Sequence, residues 1–288
     1  MAYAEGLSTH TLQVHSESRT YLTYVPANRS EYTALFFFLH GMGGTGTQAC
    51  NTQFEASFGS EEYGYVAVCP QASEDLQGRR AWHAFPGGSY YGPAYRYDYA
   101  EFSEHSDKDL DFFESLITTL NASLGFPRVF MAGFSRGASM VYHMHCARPH
   151  LLDGIVAIGN QWYDPYVGWG HFADWGEHAT YGGRAGPTPD ESTACQPSKP
   201  IPVWVASGAQ DGFYKGWQRS AWDVYAKRAM GCAGAPFTAW SSPLATLQSG
   251  QGLRCLQHDG CARAVRTRYC EYEQLGHSPR PWRWHNYD

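Results

Sequence analysis

This chain has no apolar run long enough to cross a membrane. The longest, residues 34–39, is strand-sized, against the ~18 residues a spanning helix requires. It has no basic run and no basic helix, and its net charge is -6. A nucleic-acid partner is therefore not expected. The first residues, Met1 to Gly6, hold neither a charged start nor an apolar stretch, so no secretory leader is read there. Such a start fits an intracellular protein or the boundary left by a removed leader. None of the cysteines forms a C-x-x-C pair, which argues against zinc. Repeats, linkers and low-complexity segments are also missing. Residues 1–288 therefore read as one domain, with 43% hydrophobic residues to fill its core.

What is present is more specific. Eight cysteines in a chain rich in Trp and Tyr favour an oxidising compartment and hence a removed leader, over buried thiols in an intracellular protein. Asn28-Arg29-Ser30 and Asn121-Ala122-Ser123 are N-glycosylation patterns, which matter only in a secretory host. Asp107, Asp109 and Asp111 have a spacing that hints at calcium. The central Gly and distal Glu of a calcium loop are missing, so no metal is expected; the carboxylates also suit a helix N-terminus. His143 and His145, two apart on a helix, make a poor metal pair.

Strand and helix patterns alternate. Residues 11–25 read as an edge hairpin. Residues 34–39 and 65–70 read as buried strands, and 109–124 has helical periodicity. Strands follow at 128–132, 154–159 and 202–208, a helix at 217–230 and a final strand at 269–272. Alternation of this kind predicts an α/β fold with a mostly parallel central sheet flanked by helices. Two Gly-rich, aromatic-rich stretches, residues 81–102 and 161–183, fall outside this pattern. They read either as irregular surface structure or as insertions forming an aromatic wall or lid.

The most informative motif is Gly133-Phe134-Ser135-Arg136-Gly137, a G-x-S-x-G between a β-prone stretch and an apolar helix. Strand, tight turn and helix make the nucleophile elbow of α/β-hydrolases, which exposes the serine hydroxyl. Serine needs an imidazole base oriented by a carboxylate, and in this fold the chain order is Ser, acid, His. Asp211, just past the 202–208 strand, and His277, in Gly276-His277-Ser278-Pro279, meet those conditions. Asp164 and Asp174 rival the acid, and His285 the base. Oxyanion donors are expected from the backbone N–H groups of Arg136 and of Met42, in the early glycine loop. The Arg136 side chain is expected to pair with a surface carboxylate, with an acidic substrate group as the alternative. His83, His171 and His178 are polar loop residues or cleft residues.

Taken in order, these motifs resemble the extracellular α/β-hydrolase esterases that include feruloyl esterases and polyhydroxybutyrate depolymerases. Leu39-His40-Gly41-Met42-Gly43-Gly44-Thr45 resembles the family's L-H-G-x-G-G loop. Val68-Cys69-Pro70-Gln71 followed by Trp82 resembles its Y-P-x…W segment. Gly276-His277-Ser278-Pro279 resembles G-H-x-W-P, with the aromatic displaced to Trp282; Arg136 stands where Asn is more usual. The resemblance spans roughly residues 20–285. It implies secretion, no cofactor, a Ser135–Asp211–His277 triad and a carboxylic ester substrate, feruloyl- or cinnamoyl-type on polysaccharide ahead of hydroxybutyrate or acetyl esters. It implies a Cys232–Cys261 disulfide, with Cys255–Cys270 as a second bridge. His40, Trp82, Trp162, Tyr163 and Trp282 are the candidate substrate-binding residues.

Overall fold

The computed structural model describes residues 3–74, 78–83, 108–159, 195, 197–211, 217–234, 236–242, 253–258, 260–272 and 275–278. Among these residues ten strands form one sheet: β1 (Gly6–Val14), β2 (Glu17–Val25), β3 (Leu35–Leu39), β4 (Val66–Pro70), β5 (Val129–Phe134), β6 (Gly154–Ile158), β7 (Val203–Gly208), β8 (Phe237–Ser242), β9 (Leu253–His258) and β10 (Thr267–Tyr272). Their order is β1-β2-β4-β3-β5-β6-β7-β10-β9-β8. The six central strands from β4 to β10 run parallel, while β1, β2, β9 and β8 add antiparallel edges. The fold is that of an α/β-hydrolase.

The apolar runs explain the layering. Every residue of β3 is buried, as a strand covered on both faces must be. Leu35, Phe37 and Leu39 enter one core with helices α2 (Lys108–Leu124), α3 (Arg136–Ala147) and α4 (Trp217–Arg228). Phe36 and Phe38 enter a second core on the opposite face. Cys50, in a short helical segment at residues 46–53, and Phe54, which caps that segment, close it, and α1 (Ala56–Tyr63) adds Ala56. On α2 the buried residues recur at helical spacing (Phe112, Phe113, Leu116, Leu120), which turns one stripe to the sheet.

Two antiparallel strands, β8 and β9, and the helices at 46–63 lie where no element was read from the sequence. All eight cysteines are paired, as Cys50–Cys69, Cys146–Cys195, Cys232–Cys261 and Cys255–Cys270. The last two are the pairs the resemblance implied. Cys255 and Cys270 face each other directly across β9 and β10. Among the described residues, no helix is long and apolar enough to cross a membrane.

Candidate active site

The site assembles at the C-terminal ends of β3, β5, β7 and β10, the usual place for ligands in an open α/β sheet. Ser135 follows β5 with φ 51° and ψ -117°, a left-handed backbone that a non-glycine residue rarely adopts. Close packing enforces it. A Cβ on Gly133 would collide with the Gly137 carbonyl. A Cβ on Gly137 would lie 2.5 Å from the Leu39 oxygen and 2.7 Å from that of His40. Both glycines of the motif are therefore required by contact, and the serine between them takes the strain, which costs on the order of 1–3 kcal/mol.

Asp211 and His277 come from two loops clasped together. Ala209 N–H donates to the Tyr272 carbonyl and Gln210 N–H to that of Leu275, each at 2.9 Å. Gly208, at the end of β7, has no room for a Cβ because the Leu275 and Gly276 carbonyls press on it. In this clasp His277 Nδ1–H donates to Asp211 Oδ2 at 2.8 Å, and Ser135 Oγ–H donates to His277 Nε2 at 3.0 Å. Asp211 is 1% exposed. The same Oδ2 accepts a second donor, Gln218 Nε2 at 3.1 Å. The Phe134 ring lies 4.8 Å from that of His277, and Gly159 beneath it leaves space for both. The arrangement can move a proton from a serine hydroxyl to an imidazole whose tautomer a buried carboxylate fixes.

Met42 lies in a turn closed by Gly44 N–H on the Gly41 carbonyl at 3.0 Å, with Gly43 at φ +71°. Gly41 presses against the elbow, since a Cβ there would lie 3.3 Å from that of Ser135. The loop bearing Met42 and the start of α3 bearing Arg136 thus flank the serine.

Of the five residues expected to bind substrate, Trp162, Tyr163 and Trp282 lie outside the described residues, as do Asp164, Asp174, His171, His178, His285 and most of the aromatic stretches. His40 and Trp82 are corrections. Both are fully buried and cannot wall a cleft. His40 Nδ1–H donates to the Gly41 carbonyl at 2.7 Å, and its Nε2 accepts from Ala72 N–H at 3.1 Å. Burial, reinforced by the charge of Arg80, holds its pKa down at about 4, against the upward pull of the Gly41 hydrogen bond and of Asp109. His40 is therefore a neutral brace for the glycine loop. Trp82 packs between His40 and Phe113, with ring centroids 5.1 and 5.5 Å away. Arg136 is also not at the surface: it is 8% exposed and its Nε donates to the Trp82 carbonyl at 3.1 Å. Gln218, seven residues beyond Asp211, was not foreseen; a glutamine at a helix start carries no sequence signal for this role. Asp109 lies in the first turn of α2, as the sequence reads, and is also fully buried against Arg19 and His83. Among the described residues no group of acidic, His and Cys side chains could hold a metal ion.

Fold and site together define a hydrolase of the α/β class acting on esters through a serine. Residues 22–165 match the phospholipase/carboxylesterase family, and the chain belongs to it. Comparison with curated protein sequences returned no match. Among solved structures, the chain is similar to an S-formylglutathione hydrolase from Agrobacterium tumefaciens, with a TM-score of 0.59 and 16% identity, covering 96% of this chain and 91% of that one. It is similar also to an acetyl xylan esterase from Aspergillus awamori, with a TM-score of 0.55 and 16% identity, covering 94% of each chain. At this identity the likeness is one of fold.

Proposed function

We propose that this protein is an extracellular, cofactor-independent serine carboxylesterase that cleaves feruloyl- or cinnamoyl-type esters on polysaccharide through an acyl-enzyme. The observation that carries the chemistry is the unbroken hydrogen-bond line from Asp211 through His277 to Ser135. Ser135 attacks the ester carbonyl as His277 takes its proton; His277 then returns that proton to the leaving alcohol, while Asp211 stabilises the imidazolium. The Met42 and Arg136 amides hold the tetrahedral oxyanion. Water, activated by the same histidine, releases the acid and restores Ser135. The aromatic-rich sequence around residues 81–102 and 161–183 supports an aromatic acyl group, and four disulfides support an extracellular setting.

Acetyl ester hydrolysis is the second reading, favoured by the fold likeness to the acetyl xylan esterase; hydroxybutyrate depolymerisation is a third within the same chemistry. Methyl ferulate, p-nitrophenyl acetate, p-nitrophenyl butyrate and a hydroxybutyrate oligomer would separate them. Efficient ferulate cleavage by wild type, with an inert Ser135→Ala, is the expected result. Cleavage confined to acetate or to the oligomer replaces the acyl assignment. Full activity in Ser135→Ala, or no turnover of any ester, removes the catalytic assignment and leaves a non-catalytic carbohydrate-binding relative.

A further inference from the structure

Trp82 touches both halves of the proposed oxyanion hole without reaching the reacting atoms. Its indole Nε1–H donates to the His40 carbonyl at 2.9 Å, two residues before Met42. Its own carbonyl accepts from Arg136 Nε at 3.1 Å. The adjoining residues extend the brace. The Arg80 carbonyl accepts from Gly43 N–H at 2.8 Å, which holds the far side of the glycine loop. His83 donates to Asp109 Oδ2 from its backbone N–H at 2.7 Å and from Nδ1 at 3.2 Å. The other oxygen, Asp109 Oδ1, accepts from Arg19 Nη2 at 2.6 Å. Asp109 is fully buried and Arg19 is 5% exposed, with its guanidinium 4.2 Å from the centre of the Phe112 ring.

The two proposed oxyanion donors belong to different elements. Arg136 starts α3, whereas Met42 sits in a turn that no ladder holds. Oxyanion donors act only when both lie about 2.7–3.1 Å from the developing charge, and misplacement by about 1 Å can cost about a hundredfold in rate. Direct packing of Gly41 on Ser135 and of Gly137 on His40 brings loop and elbow together, and residues 80–83 hydrogen-bond to the loop on either side of Met42, at His40 and Gly43, and to the side chain of Arg136.

We infer that Trp82 is a positioning residue that sets the Met42 and Arg136 amides relative to each other, anchored through His83 on the buried Asp109–Arg19 pair. The inference rests on the oxyanion assignment above.

The test uses the full chain. Trp82→Phe keeps an aromatic ring near Phe113 and keeps the backbone carbonyl, and removes the N–H that holds His40 together with part of the buried indole, so its melting temperature is read as well. The expected result with p-nitrophenyl acetate is a fall in kcat of about 10–30-fold with KM within about twofold. The affinity of a trifluoromethyl ketone, which forms an oxyanion on the serine, should fall in the same proportion. Asp109→Asn should act in the same direction; since it can also unfold the protein, its melting temperature is read alongside. Unchanged kcat in Trp82→Phe, or a lower melting temperature with unchanged ketone affinity, overturns the inference while leaving the esterase reading intact. Absence of ester turnover in wild type, or its survival in Ser135→Ala, overturns both.

Discussion

Gln218, which carries no motif, and Gly41, in the glycine loop, show how much of the site rests on single residues. Gln218 puts a second donor on the Asp211 oxygen that already accepts from His277. A hydrogen bond to a charged group contributes about 1.5–3 kcal/mol. Gln218→Leu should therefore lower kcat/KM about tenfold or more, with a smaller loss than Asp211→Asn, for which about 10⁴-fold is expected because the imidazole then loses its tautomer control. Steady-state kinetics on one activated ester compares the two; equal losses would mean that Gln218 does more than orient. Gly41→Ala would bring a Cβ to 3.2 Å from Phe134 Cδ1 and 3.3 Å from Ser135 Cβ. The loop must give by a few tenths of an ångström, so kcat should fall about tenfold while the melting temperature changes little. Ser135, Asp211 and His277 were legible because their chemistry imposes a type, an order and a place near strand ends. His40 and Trp82 were misplaced for a physical reason. Aromatic rings read alike whether they wall a cleft or brace a loop, and only burial separates the two.

Among the elements, α3 and β3 meet at a contact with no room for a side chain. Gly137 lies against the Leu39 and His40 carbonyls at distances no real Cβ tolerates, and those atoms are backbone, which cannot swing aside. Gly137→Ala should push α3 off β3, costing about 1–3 kcal/mol in stability. Calorimetry would register a lower melting temperature together with lost activity; an unshifted melting temperature would contradict the packing. The central strands and α2, α3 and α4 were readable because unbroken apolar runs and helical stripes are strong signals. β8 and β9 were not. They are short strands at one end of the sheet, β9 paired with β10 and β8 with β9, and that pairing depends on register rather than on local pattern.

For the whole molecule, acid should be a specific liability. His40, His143 and His145 are buried and held down at about 4, in each case chiefly by burial. Around His143, Arg148 and Arg136 add to the depression while Asp109 opposes it, and neither ring nitrogen has a hydrogen-bond partner. His145 accepts from the Tyr225 hydroxyl at Nδ1 and donates to the Lys199 carbonyl at 3.2 Å; burial outweighs the upward pull of that carbonyl, and the Lys199 charge adds to the depression. A histidine whose folded pKa lies below its unfolded value takes up a proton on unfolding. Its contribution is full above pH 6.5 and is lost as pH falls toward 4, at about 3 kcal/mol per histidine. Denaturant melts at pH 7 and pH 4.5 should therefore differ by several kcal/mol, and His143→Phe should flatten that slope. Redox dependence is the second global property. With every cysteine paired, the unreduced, denatured protein should show no reactive thiol. Reduction should lower the melting temperature, since a closed loop of 15–50 residues contributes about 3–4 kcal/mol on the chain-entropy view.

The sequence by itself determined the α/β alternation, the strained serine turn and the three side chains, Ser135, Asp211 and His277, that the fold brings together, because hydrophobic period and chain order are local or ordinal facts. Tertiary structure decided what depends on burial and through-space distance. It put Trp82 and His40 inside rather than in a cleft, brought Gln218 onto Asp211, and made Asp109 a buried anchor 26 residues from the histidine it holds. Those assignments arise from which groups lose water together, and no local pattern encodes that.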